Sequence, residues 1–162
     1  MQTEEKNYLT FEDLEVYRAA RAFRKEMYAV ARKLPAIEKF ELAPQIRDAA
    51  RSLTNNVAEG HGRYHFLDQI KFMLQARGSL QELFDDLNLC EDENYLPPQE
   101  IAKIRTDGVR VMKLLKGYIR FLRERKVGEQ LITRESAAPY HLDADDPFDD
   151  STIQPFNDLT KL

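Results

Sequence analysis

Cysteine occurs once in this sequence, at Cys90, so no internal disulfide can form and the chain is expected in a reducing cytoplasm. No histidine lies near Cys90 in sequence, and it reads as a half-buried small residue at a helix end rather than a nucleophile. No apolar run approaches the roughly 20 residues that span a bilayer. The first ten residues, MQTEEKNYLT, lack the basic and apolar regions of a signal peptide, so no membrane partner is expected. Glycine is scarce, 6 in 162 residues, which suits helices better than sheets. Motifs that carry chemistry are missing too: no phosphate-binding glycine loop, no Cys-x-x-Cys pair, no His-Glu-x-x-His and no Gly-x-Ser-x-Gly. No catalytic site, metal or cofactor is therefore expected.

What is present is charge, unevenly placed. The formal net charge is −4. From Val127 to Leu162 two bases stand against eight acids, a net of −6, whereas residues 1–126 hold 22 bases and 20 acids, a net of +2. A mildly basic body carries an acidic tail.

Apolar spacing of three and four residues sets out four helices in the body. Residues 1–10 form a lead-in, and Thr10 followed by Asp13 can cap a helix start. The first helix runs to about Leu34, before Pro35, with Tyr17, Ala20, Phe23, Met27, Val30, Ala31 and Leu34 on its apolar side. Arg18, Arg21, Lys25 and Arg32 form a stripe opposite, which taken alone is an ordinary solvated face. The second helix begins near Leu42 or Pro44, shows Leu42, Ile46, Ala49, Leu53 and Val57 on one side, and ends at Gly60 and Gly62. The third spans roughly Tyr64 to Asp92, with Phe66, Ile70, Met73, Leu74, Leu80, Phe84 and Leu87 inward. Gly78 and Ser79 lie in its middle, where a glycine costs about 1 kcal/mol relative to alanine and usually admits a neighbouring helix. The fourth runs from Pro98 to about Lys126, with Ile104, Val111, Leu114, Leu115, Tyr118, Ile119, Phe121 and Leu122 on one half. Lys103, Arg110, Lys113, Lys116, Arg120 and Arg123 take the other half. A solvated face normally mixes signs, so this one-sign face is more suggestive than the stripe on the first helix. From residue 127 the pattern stops. A tail rich in Asp with spaced aromatics is expected to be disordered or extended, or to dock on a partner or on the protein's own basic face. The organisation expected is a lead-in at 1–10, a bundle at 11–126 and an acidic tail at 127–162.

Four polar features need a weighed reading. Asn56, at the edge of the second apolar stripe, is a candidate buried amide paired with a neighbouring helix. Arg77 falls on the apolar side of the third helix; either its stem snorkels or it meets an acid at a subunit contact, and the contact is favoured. Glu59, His61, His65 and Asp68 are the nearest thing to a metal cluster, but a glycine corner falls between the histidines and a polar corner is the better reading. Glu82, Asp85, Asp86, Glu91, Asp92 and Glu93 lack the paired Glu-x-x-His pattern of a di-metal bundle and read as a solvated helix end.

Several segments together resemble one family. They are Phe11-Glu12-Asp13-Leu14-Glu15-Val16-Tyr17, Gln45-Ile46-Arg47-Asp48-Ala49-Ala50, the run from Ser52 to Arg63 (SLTNNVAEGHGR), and Ala76-Arg77-Gly78-Ser79-Leu80-Gln81-Glu82-Leu83. The resemblance is to the bacterial four-helix-bundle proteins named for the 23S rRNA intervening-sequence protein, and it covers about residues 11–126. That family tends to carry proline where this chain has Thr54 and often tryptophan where it has Tyr17. The resemblance implies an all-α, antiparallel four-helix bundle that assembles as a ring, typically a homopentamer, without enzymatic activity. One branch is the accessory variability determinant of diversity-generating retroelements, which partners a reverse transcriptase and binds nucleic acid through basic surface residues.

The expectation is thus a non-catalytic oligomeric accessory protein that binds structured RNA or an RNA–protein complex, for example a reverse transcriptase. Its contacts would be Arg18, Arg21, Lys25, Arg110, Lys113, Lys116, Arg120 and Arg123. A protein–protein scaffold without nucleic-acid binding is the first alternative, and a metal-dependent enzyme using Glu59, His61, His65 and Asp68 the second.

Overall fold

Residues 10–132 are described by a computed structural model. They form α1 (Glu15–Lys33), α2 (Leu42–His61), α3 (Phe66–Asp92) and α4 (Pro98–Ile132), with no strand among the described residues. The expected tail from residue 133 onward lies outside them, and α4 itself continues past the expected end at Lys126.

Local chemistry explains most boundaries. Thr10 does make a capping box with Asp13, accepting from the Glu12 N–H at 3.3 Å while its own N–H donates to Asp13 Oδ2 at 2.9 Å. It caps a separate 3-10 turn, Phe11–Asp13, after which extended Leu14 intervenes and α1 starts at Glu15. Pro35 holds Leu34 extended and ends α1. At the start of α2, Glu38 Oε2 accepts the Leu42 N–H at 3.1 Å, serving one of the donors that a first turn leaves over, and Pro44 fits inside that turn. Asn94, at φ 56°, makes the left-handed turn after α3.

The helices pack in a closed up-down-up-down square. Ser52 meets Ser79 across α2 and α3, Asn88 meets Arg105 across α3 and α4, and Lys33, Glu26 and Glu15 meet Glu100, Lys103 and Arg110 in descending register across α1 and α4. Such a square buries one face of every helix. Phe23, Met27, Ile46, Leu53, Met73, Leu80, Leu83, Leu87, Leu115 and Leu122 are fully buried at its centre.

Three expectations need correction. Gly78 is exposed, and a Cβ there would meet nothing within 4 Å, so it admits no neighbouring helix. The close approaches are at Gly60, where a Cβ would lie 2.5 Å from Met73 Cε and 2.9 Å from Phe72 Cβ, and at Gly108, 2.7 Å from Phe84 Cε1. Gly60 and Gly62 do stand at the end of α2, with Gly62 as its C-cap at φ −76°. Phe121 belongs outside: it is 43% exposed, turned out between buried Ile119 and Leu122, with the Arg125 guanidinium 4.8 Å from its ring centre. The expected amide at Asn56 is half-buried and satisfied within its own helix, donating to the Ser52 carbonyl at 3.0 Å; Ser52 in turn reaches buried Ser79 at 2.9 Å.

Candidate nucleic-acid interface

The eight bases expected to form one contact surface are divided by the packing of α1. Its α4 side is a mixed-sign seam, where Arg110 pairs with Glu15 at 3.7 Å, Lys103 with Glu26 at 2.8 Å and Lys33 with Glu100 at 2.5 Å. Lys103 also reaches Asp107 at 3.0 Å, and its hydrogen bonds, to Glu26 first, hold its ammonium above the ordinary lysine range. Arg18 donates to the Glu12 carbonyl and pairs with Asp13 at 3.4 Å. Arg18 and Arg110 therefore face acids already. Arg21, Lys25, Lys113 and Arg120 are exposed and pair with no acid among the described residues. Lys116 is half-buried and Arg123 exposed, and both have interactions of their own.

The other side of α1 opens toward α2 as a furrow of about 470 Å³ lined by Arg24, Lys25, Tyr28, Arg32, Arg51 and Asn55. Arg32 also lines a second concavity of about 260 Å³ with Lys39 and Arg47, so the two border the same side chain. Arg24 is anchored: its Nη1 donates to Thr54 Oγ1 at 2.8 Å, and that buried hydroxyl donates to the Arg51 carbonyl at 3.1 Å. Arg51 pairs with Asp48 at 2.8 Å on the rim. Of this set only Lys25 was among the expected contacts, and Arg32 only part of the stripe. The bases of α2 were missed because they flank an apolar stripe on a helix read mainly for its core. The signal was there in Arg47 and Arg51, one helical turn apart.

The remaining candidates do not converge on chemistry. Among the described residues no three His, Cys, Asp or Glu side chains are grouped to hold a metal. Glu59 is engaged by Arg63, and His61 and His65 straddle the corner between α2 and α3. Burial and then nearby Asp86 push the Cys90 thiol up to about 11, which keeps it protonated and a poor nucleophile. Arg77 is half-buried and not without a partner, so its charge does not by itself demand a second subunit. Among the described residues no helix is long and apolar enough to cross a membrane.

These features define an all-α four-helix bundle with two basic surfaces and, among the described residues, no side-chain group placed to hold a metal. The chain belongs to the 23S rRNA-intervening sequence protein family, whose sequence model matches residues 12–117. No curated protein matches it in sequence.

Proposed function

We propose that this chain is a non-catalytic accessory protein that assembles as a homo-oligomeric ring and binds structured RNA or an RNA–protein complex. A reverse transcriptase of a diversity-generating retroelement or a related element is the partner the resemblance suggests. The family's name ties its members to ribosomal RNA and supports an RNA-related role. The observation that carries the reading is the set of exposed cations that pair with no acid among the described residues, Arg21 and Lys25 on α1 and Lys113 and Arg120 on α4. Unneutralised bases attract phosphate and release counterions, and a ring would multiply that attraction without new contacts.

Affinity for structured RNA, followed by fluorescence anisotropy across a salt series, tests it. Each neutralised phosphate contributes a log–log slope of roughly −0.9 on duplex DNA and about −0.7 on single strands, and duplex RNA should respond similarly. A Lys113→Gln, Arg120→Gln double variant should shallow the slope and weaken binding across sequences alike, because phosphate contacts position without reading bases. Absence of RNA binding by the parent, with its natural partner present, would leave the scaffold reading. That alternative has its own support in exposed apolar residues at both ends of α2: Ile37 and Phe40 at one, Tyr64 and Leu67 at the other.

A further inference from the structure

We propose that the α1/α2 furrow is a binding site for an unpaired stretch of RNA, with phosphates on Arg24, Lys25, Arg32 and Arg51 and a base against Tyr28 and Asn55. The proposal rests on the RNA-binding reading above and narrows the furrow's ligand to unpaired RNA.

Sign is the first argument. Four cations line the furrow and none of its lining residues is acidic; Asp48 meets Arg51 from the rim. A solvated surface mixes charges, and a concavity of one sign focuses its field on a ligand of the other. The second argument is order. Arg24 is held by buried Thr54, which is itself tied to α2, so one guanidinium is fixed before any ligand arrives and keeps further N–H donors to offer. Third comes shape. The volume of about 470 Å³ falls within the range of about 300–1,000 Å³ usual for ligand sites, and four of its six lining residues carry a cationic head on an apolar stem. It suits a polyanion better than an apolar molecule.

Extent and access narrow the class. Arg24 to Arg32 spans about 12 Å along α1, enough for successive phosphates of one strand, and Arg32 also borders the second concavity that holds Arg47 and Lys39. The seam between two helices packed about 8–10 Å apart is too narrow for a duplex to enter. Tyr28 is half-buried and braced against the core, which makes its ring a firm platform. Only an unstacked base has a free face to lay on such a ring, and basic grooves with aromatic platforms are the usual means of holding single strands. The outer face of α4 offers exposed cations on a convex surface, which is open to either form of RNA.

The test uses the full chain with two labelled RNAs, an unpaired oligoribonucleotide and a hairpin duplex, each titrated across salt. An Arg32→Gln, Arg51→Gln double variant should lose about ten-fold in affinity for the unpaired RNA at low salt and shallow its slope by about 1.4, with a smaller loss on the duplex. Tyr28→Leu, checked for intact helicity, should weaken unpaired RNA by roughly five-fold or more while leaving the slope unchanged. If the double variant keeps the parent's affinity and slope on unpaired RNA, the furrow is overturned and the RNA reading stands. A parent that binds neither RNA overturns both. A peptide of residues 142–150 that binds the parent and not the double variant, where unpaired RNA binds both equally, assigns the furrow to acidic chain instead.

Discussion

Replacing Asp86 with asparagine should stabilise this bundle at neutral pH, against the usual outcome of changing a buried residue. Asp86 lies on α3 with 7% of its surface exposed, and its Oδ2 is buried without a hydrogen-bond partner among the described residues. Burial, and then the neighbouring charges of Glu82 and Asp85, raise its carboxyl from 3.8 to about 6. The folded chain therefore holds a proton between roughly pH 6 and pH 4 that the unfolded chain has released. Stability is highest below that window and falls as pH rises through it, reaching its full deficit above about pH 6. A shift of about two units corresponds to a deficit of about 3 kcal/mol. Asparagine is never ionised, so Asp86→Asn should recover about 1–3 kcal/mol at pH 8, reduced by whatever its amide leaves unpaired. Below about pH 4 parent and variant should converge. Urea unfolding at pH 4, 6 and 8, with midpoint and slope recorded for both proteins, gives the comparison. A parent-minus-variant difference that does not change between pH 4 and pH 8 would refute the buried, strained carboxylate.

Other outcomes follow from the packing and the charge. Gly60→Ala should cost about 1–3 kcal/mol by overpacking, since Phe72 Cβ at 2.9 Å cannot retreat without moving α3, whereas Gly78→Ala, open on all sides, should gain about 1 kcal/mol in the same thermal or urea assay. Light scattering at micromolar concentration should return several times the chain's 18.9 kDa if the proposed ring forms, and a clean monomer would remove it. Deleting residues 133–162 should leave helicity and that mass unchanged and raise RNA affinity at low salt; loss of folded protein would place the tail in the core instead.

The bundle was legible because its evidence is periodic. Leu42, Ile46, Ala49, Leu53 and Val57 recur at helical spacing and all are buried, Pro35 marks where α1 cannot continue, and the Thr10–Asp13 pair caps the turn that leads into it. The errors fell where spacing says nothing. Gly78, Gly60 and Gly108 look alike in a sequence, and only the crossing geometry decides which of them faces another helix at close range. Phe121 sits beside core Leu122 and two residues from core Ile119, and its outward turn depends on where α4 leaves its neighbours. The furrow was hidden for a related reason: it is made by two helices, and its bases were read one helix at a time. Arg24 was passed over because it borders the apolar side of α1, where its partner Thr54 could not be foreseen.

Net charge would have pointed away from nucleic acid, and the structure explains why it is a poor guide. The body carries only two more bases than acids over residues 1–126. Its acids, however, are not spread evenly among its bases. Glu15, Glu26 and Glu100 are spent in the seam between α1 and α4, and Glu91 on Arg105 between α3 and α4. Among the described residues, bases that pair with no acid then stand in the α1/α2 furrow (Arg24, Lys25 and Arg32, beside Asp48-paired Arg51) and on the outer face of α4 (Lys113 and Arg120). At physiological salt a charge is felt over about 8 Å, so a phosphate in the furrow responds to the cations lining it and hardly to the rest of the protein. A nearly neutral bundle can in this way present a strongly basic site, and a ring would repeat it once per copy. The same short range sets the condition for the acidic tail to matter. It must reach the furrow itself, because at a Debye length its −6 charge has little influence from elsewhere on the surface.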